Sequence, residues 1–149
     1  MRVCATMSVA SGMSLDEMLA EWVQGVPAEL TRDILWTAEV YRWATFACEH
    51  VAADAVLILA SPAHTQIAPH LLRAVGSVGA NFAEGYSRLS PKDRCRLYEY
   101  ALGSAREARH WAYACRKALG EHRTRELLGM LTKLIQQLTV IIRNERKRA

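Results

Sequence analysis

The sequence has no apolar run long enough to cross a membrane, because charged or polar residues interrupt every hydrophobic segment before the roughly 18 residues that a transmembrane helix needs. Runs of β-branched residues are also scarce, which disfavours strands. The amino terminus, MRVCATMSVASGMSLDE, holds a single arginine and no apolar core, so it does not resemble a secretory signal. These absences predict a cytoplasmic, helical protein that has no membrane partner.

The motifs of common catalytic sites are missing as well. There is no GxSxG nucleophile turn, no phosphate-binding Walker loop and no HExxH zinc motif. The one ExxH pair, Glu107 and His110, lacks the second pair that a di-iron site in a helical bundle requires. A metal-dependent oxidase built on this pair is therefore a minor hypothesis. We predict a protein that is not an enzyme and that holds no metal and no cofactor.

The four cysteines form no CxxC pair and are widely spaced, at Cys4, Cys48, Cys95 and Cys115. Such cysteines serve either as a metal or redox site or as small residues between packed helices in a reducing compartment. The spacing favours the second interpretation. A chain of 149 residues buries enough surface to fold as one domain without a disulfide or metal.

What the sequence does contain is helical periodicity, beginning with a short amphipathic helix. Ser14 and Glu17 form a capping-box pattern, and apolar residues then recur at helical spacing up to Trp22. Gly25 and Pro27 end this helix. Its apolar face must pack on the rest of the chain or on a partner. We predict an extension over residues 1–26, followed by a bundle over residues 27–149.

Four long helices are predicted within the bundle, with short connections that favour an up-down-up-down four-helix bundle in the all-α class. The predicted spans are 27–60, 65–84, 90–119 and 124–144. The first is expected to bury a face that is spaced alternately by four and three residues: Ile34, Ala38, Tyr41, Thr45, Cys48, Ala52, Ala55 and Leu59. Trp36, Trp43, Phe46 and Val56 lie outside that face and predict a second one. Gly85 is expected at the C′ position of the second helix.

Charge is distributed unevenly along the chain. Residues 1–60 hold three basic and eight acidic side chains, whereas residues 61–149 hold sixteen basic and seven acidic ones. This asymmetry indicates either a basic surface for a polyanion or ordinary solvated helix faces.

The basic residues concentrate around the third helix and extend into the fourth. The candidate nucleic-acid-binding residues are Arg73, Arg88, Lys92, Arg94, Arg96, Arg106, Arg109, Arg116 and Lys117. Arg123, Arg125 and the RKR segment near the carboxyl terminus add to them, and Tyr86, Tyr98 and Tyr100 offer rings that could stack on bases. The alternative is that these arginines pair with Glu99, Glu107, Glu121 or the acidic first bundle helix of a neighbouring subunit.

The segment RAVGSVGANFAEGYSR places glycines and polar residues inside a predicted helix, where each glycine costs about 1 kcal/mol relative to alanine. Gly76, Gly79, Ala80 and Ala83 predict a surface that a neighbouring helix approaches closely. Asn81 and Glu84 are expected to join a buried polar network with Arg73, Arg88, Ser104 or Glu107 rather than to contact a ligand.

QIAPHLLRAVGSVGANFAEGYSR and YEYALGSAREARHW resemble the small four-helix bundle proteins encoded within intervening sequences of bacterial 23S ribosomal RNA. The matching positions include Ser77, Asn81, Glu84, Gly85, Ser104 and Glu107, which we take as structural motif residues. This family has a more distant likeness to the accessory variability determinant proteins of diversity-generating retroelements. The resemblance implies a homopentamer of bundles, no enzymatic activity, binding to structured RNA or DNA, and a reverse transcriptase as partner in the retroelement case.

Two functional hypotheses follow. The first is an oligomeric accessory protein that contacts the phosphate backbone of structured RNA or DNA through its arginines. The second is an interaction scaffold that docks a partner such as a reverse transcriptase through the N-terminal helix and the acidic first bundle helix.

Overall fold

A computed structural model describes residues 12–149, and these residues form an all-α bundle in which no strand occurs. A short helix, α1 (Leu15–Val23), and a single turn, α2 (Ala28–Thr31), precede the bundle. The four long helices are α3 (Glu39–Leu59), α4 (Ala68–Tyr86), α5 (Pro91–Ala114) and α7 (Glu121–Arg146), with α6 (Arg116–Leu119) as a single turn before α7. Each long helix packs on two others, in the order α3, α4, α5, α7 and back to α3.

The amphipathic helix α1 forms as predicted and packs on the bundle. Ser14 accepts a hydrogen bond from the Glu17 backbone, while the Glu17 carboxylate accepts one from the Ser14 backbone N–H, which completes the capping box. Met18 is buried, and the Trp22 ring lies 5.3 Å from Phe46 and 5.9 Å from Trp36. The bundle itself therefore covers the apolar face of α1.

The single helix predicted over residues 27–60 is wrong, because its first third breaks into short pieces. Asp33 accepts a hydrogen bond from the Leu35 backbone N–H, and Thr37 donates to the Ile34 carbonyl. Such local bonds compete with the helix, so residues 34–37 form a 3-10 turn and α3 starts at Glu39. The turn buries Trp36 beneath α1.

The buried face predicted for this helix is confirmed only in part: Ala55 is buried, and Ala38, Tyr41 and Cys48 pack against the core. Ile34 is 67% exposed and Leu59 50% exposed, whereas Val40, Trp43, Ala47, Val51 and Ile58 enter the core. The segment is so rich in alanine and other apolar residues that more than one face satisfies a four-three spacing. Trp36, Trp43 and Phe46 are buried as the second predicted face requires, but Val56 is 70% exposed.

The remaining long helices agree more closely with the sequence. Ser90 caps α5 with Pro91 at its first position, and Leu127, Leu131, Leu134 and Leu138 of α7 are buried. The predicted third helix stops early, because Cys115 and Gly120 interrupt it on either side of α6. Gly120 has a φ of 81° and directs the chain into α7, which starts at Glu121 rather than at residue 124.

Gly85 does not terminate α4, so its predicted C′ role is wrong. It is buried inside the last turn of the helix, where a Cβ atom would lie 2.7 Å from Tyr98 Cε1 and 3.1 Å from Leu97 Cβ. The residue is small because α5 crosses at this point. Of the other small residues in this segment, Gly79 approaches Ala44, while a Cβ on Gly76 would meet nothing within 4 Å.

Candidate nucleic-acid interface

The candidate interface lies where the amino-terminal half of α5 runs beside the carboxyl-terminal end of α7. The two helices are antiparallel here, and two ion pairs join them. Arg94 reaches Glu145 at 3.0 Å, and Arg146 reaches Glu99 at 2.6 Å. Glu145 is 7% exposed, so the first of these pairs belongs to the packed interior between the helices.

A groove follows this helix pair and consists of two adjoining cavities of about 620 and 590 Å³. Glu99 and Arg146 line both cavities and mark the boundary between them. Lys92 and Arg96 line the first cavity, and Arg106, Arg143 and Lys147 line the second. We call these five residues the groove cations.

The groove cations are largely uncompensated. Arg96 lies 3.8 Å from Asp93, a contact between exposed side chains that contributes little. Between residues 12 and 149, the charged groups of Lys92, Arg106, Arg143 and Lys147 have neither an ion pair nor a hydrogen bond. The groove therefore presents positive charge from both of its helical walls.

The structure separates the nine predicted binding residues into different environments. Arg94 is anchored, because it pairs with Glu145 and donates to the carbonyls of Arg88 and Leu89. Arg88 pairs with Glu84 on its own helix. Arg73 lies 3.5 Å from Glu107 and 3.1 Å from the Nδ1 atom of His70. Lys92, Arg96 and Arg106 remain together at the groove.

Three of the predicted residues lie outside the groove. Arg109 follows the groove residue Arg106 by three residues, about 4.5 Å along the α5 axis, but lines neither cavity. Arg116 stacks over the Tyr113 ring at 4.4 Å and donates to its carbonyl, and Lys117 follows in α6. One continuous surface along a single helix is therefore not formed.

The cations that α7 contributes to the groove were only partly predicted from the sequence. The RKR segment includes Arg146 and Lys147, but the fourth helix was predicted to end at residue 144, whereas α7 continues through Arg146. Arg143 was missed as a candidate. Arg143 could have been identified from the i, i+3, i+4 spacing of Arg143, Arg146 and Lys147, which places three cations on one helix face.

The tyrosines differ in their availability to bases. Tyr98 is buried and stacks on Phe82 at a centroid distance of 4.9 Å, and burial raises its pKa to about 12. It is a core residue and does not face solvent. Tyr100 is 54% exposed and Tyr86 is 37% exposed, so these two rings are open to solvent.

The motif residues do not assemble the predicted buried polar network. Asn81 donates to the Ser77 carbonyl of its own helix at 2.8 Å, and the Glu84 side chain is half exposed beside Arg88. Glu107 accepts a hydrogen bond from the Trp111 indole N–H and forms the ion pair with Arg73, which links α4 to α5. Ser104 is half-buried on α5. The network was predicted because the motif residues are polar, but Glu84 and Glu107 are exposed, and Ser77, Asn81 and Ser104 are only half-buried.

A buried charged cluster lies elsewhere, between α3 and α7. Arg123 donates to Asp54 at 2.7 Å and to Glu126 at 3.0 Å. Burial raises the pKa of Asp54, although Arg123 opposes this effect. Burial also lowers the pKa of His50, whose Nδ1 atom lies 3.1 Å from the Phe46 carbonyl. This cluster joins two core helices and is separate from the groove.

No group of three or more potential metal ligands occurs among residues 12–149. Burial raises the pKa of the Cys48, Cys95 and Cys115 thiols, which favours the protonated form. Cys4 lies outside the described residues. Among the helices of the described part, none is long and apolar enough to span a membrane.

Comparison with known proteins identifies the family. The model of the 23S rRNA-intervening sequence protein family matches residues 38–140. The chain belongs to this family. The match contains α3, α4 and α5 and most of α7, whereas α1 and the groove residues Arg143, Arg146 and Lys147 lie outside it.

A solved structure has the same fold. It is a protein of unknown function from the S23 ribosomal protein family of Bacteroides thetaiotaomicron, with 18% sequence identity and a TM-score of 0.65. The similarity covers 69% of this chain and 97% of that protein. No curated protein matches the chain. These comparisons indicate no enzymatic family.

Proposed function

We propose that this 23S rRNA-intervening sequence family protein is a non-enzymatic accessory protein that binds structured RNA or DNA through the phosphate backbone. The observation that carries the proposal is the groove between α5 and α7, where Lys92, Arg106, Arg143 and Lys147 lack acidic partners in the described chain. Uncompensated cations on facing walls attract a polyanion, and binding then releases its counterions.

The three predicted residues outside the groove contribute less to binding in this proposal. Arg109, Arg116 and Lys117 would contact only a nucleic acid long enough to pass beyond the groove. Assembly into a ring, which the family resemblance suggests, would bring several grooves together and increase affinity through multivalency. A reverse transcriptase stays a predicted partner, but the apolar face of α1, to which the scaffold hypothesis assigned it, is packed on the bundle.

Fluorescence anisotropy with a labelled RNA hairpin tests the proposal. Five groove contacts predict that affinity falls about a hundredfold between 50 and 200 mM salt. The double variant Arg106→Gln/Arg143→Gln should weaken binding at low salt. The control Arg125→Gln removes an exposed arginine that pairs with Glu121 near the start of α7, and it should leave binding unchanged.

Undetectable binding at 50 mM salt, or binding that does not depend on salt, would refute the proposed function. Equal losses for the groove variant and the Arg125→Gln control would show a general charge effect and would also contradict the assignment. Light scattering of the same samples gives the oligomeric state, which the proposal expects to exceed a monomer.

A further inference from the structure

The groove between α5 and α7 has two walls. This feature helps to decide whether a single strand or a duplex of nucleic acid fits the groove. Arg106 approaches from α5, and Arg143 and Lys147 approach from α7. Two packed helices have axes about 8–10 Å apart. Long side chains that rise from two helices this close can reach one phosphodiester backbone from both sides. A duplex, whose major groove alone is about 12 Å wide, would meet only the rims.

We propose that the groove binds one unpaired strand, such as a loop or a single-stranded end of a structured RNA, rather than a duplex. This inference rests on the proposed function and specifies the ligand of the same site. Grooves that hold single strands combine positive charge along the backbone with aromatic rings on which bases stack, and the groove between α5 and α7 has the first of these two features.

The length of the groove sets the size of the strand. Lys92 and Arg106 are fourteen residues apart on α5, which corresponds to about 21 Å along the helix axis. This length accommodates about six stacked nucleotides at the 3.4 Å rise of a single strand. Binding to an unstructured strand should therefore strengthen with length up to about six nucleotides and then level off.

The floor of the groove predicts weak sequence preference. Leu102 and Ile142 line its second cavity together with Thr139, and no aromatic residue lines either cavity. Aliphatic side chains contact sugars and base edges but do not distinguish bases by hydrogen bonds. Phosphate contacts position a strand without reading its sequence.

The ion pair between Glu99 and Arg146 divides the groove. Removing it tests the inference through an expected gain in affinity rather than a loss. Glu99 holds Arg146 at 2.6 Å and places a negative charge between the two groups of cations. The variant Glu99→Gln removes that charge and releases Arg146 toward the strand. Affinity for a single strand should therefore increase, whereas most substitutions in a binding site decrease it.

The experiment measures the full-length protein against a labelled 12-nucleotide polyuridine, a 12-base-pair RNA duplex and a DNA strand of the same length. Five contacts to a single strand predict a slope of log affinity against log salt of about −3.5. The slope should become about −2.8 in Arg143→Gln and about −4.2 in Glu99→Gln. The single RNA strand should bind at least tenfold more tightly than the duplex.

The outcomes separate the two proposals. If the duplex binds as tightly as the single strand, or if Glu99→Gln weakens binding, the single-strand inference is wrong while nucleic-acid binding stands. If no form binds at low salt, the proposed function itself fails. Circular dichroism of each variant confirms that the fold is retained, and Arg125→Gln, a substitution of an arginine that pairs with Glu121 outside the groove, should leave the polyuridine slope unchanged.

Discussion

Replacing Gly85 with alanine probes the close approach of α4 and α5. The added Cβ would lie 2.7 Å from Tyr98 Cε1 and 3.1 Å from Leu97 Cβ. Neither neighbour yields easily, because the Tyr98 ring is buried against Phe82 and the Leu97 Cβ is bonded directly to the backbone. The helices must therefore move apart by several tenths of an ångström.

Two opposing effects determine how much Gly85→Ala changes the free energy of unfolding. Overpacking a core costs about 1–3 kcal/mol, while replacing glycine with alanine inside a helix gains about 1 kcal/mol. We expect Gly85→Ala to reduce the free energy of unfolding by about 0–2 kcal/mol. The matched control is Gly103→Ala in α5, where a Cβ meets nothing within 4 Å. This control should stabilise the protein by about 0.5–1 kcal/mol.

Urea unfolding followed by circular dichroism measures both variants, with equal m-values as the sign that only stability has changed. For a chain of this size, 1 kcal/mol corresponds to about 2–4 °C in Tm. A Tyr98→Ala background should remove most of the Gly85→Ala penalty, because the contacting ring is absent. If Gly85→Ala is as stable as Gly103→Ala, the argument for close helix approach is refuted.

Three further predictions concern other contacts. The lowered pKa of His50 means that the unfolded chain takes up its proton first, so stability should fall as the pH drops below about 6.5; thermal melts should show a smaller fall in His50→Gln, and an equal fall in both proteins would contradict this role of His50. Asp54→Ala leaves Arg123 without its closest partner and should cost about 2–4 kcal/mol by urea unfolding, so a loss below 1 kcal/mol would contradict the role of the cluster. Trp22→Ala removes the ring contacts of α1 and should make this helix sensitive to limited proteolysis while α3–α7 stay resistant; equal resistance in both proteins would show that other contacts hold α1.

Sequence reasoning was most successful where one local signal was decisive. The capping box at Ser14, the Ser90–Pro91 start of α5 and the leucine repeat of α7 each indicated a single structure, and each was found. The α3 region failed because its alanine-rich sequence is compatible with several buried faces. Asp33 and Thr37 hold the 3-10 turn before α3 through hydrogen bonds between their side chains and the backbone. Whether this turn forms depends on where Trp36 packs, which the local sequence does not determine.

The candidate site shows the same division. The abundance of arginine after residue 60 and the family motif were readable in the sequence, and they determined the helical class and the basic character of the protein. The sequence did not show that Arg94 is held in an ion pair with Glu145, or that Arg143 and Lys147 face Arg106 across a groove. Helical periodicity determines which residues share a face of one helix, but the antiparallel packing of α5 on α7 decides which faces meet. The local signals in the chain therefore determined the helices, and only the tertiary structure decided which charges remain free to bind.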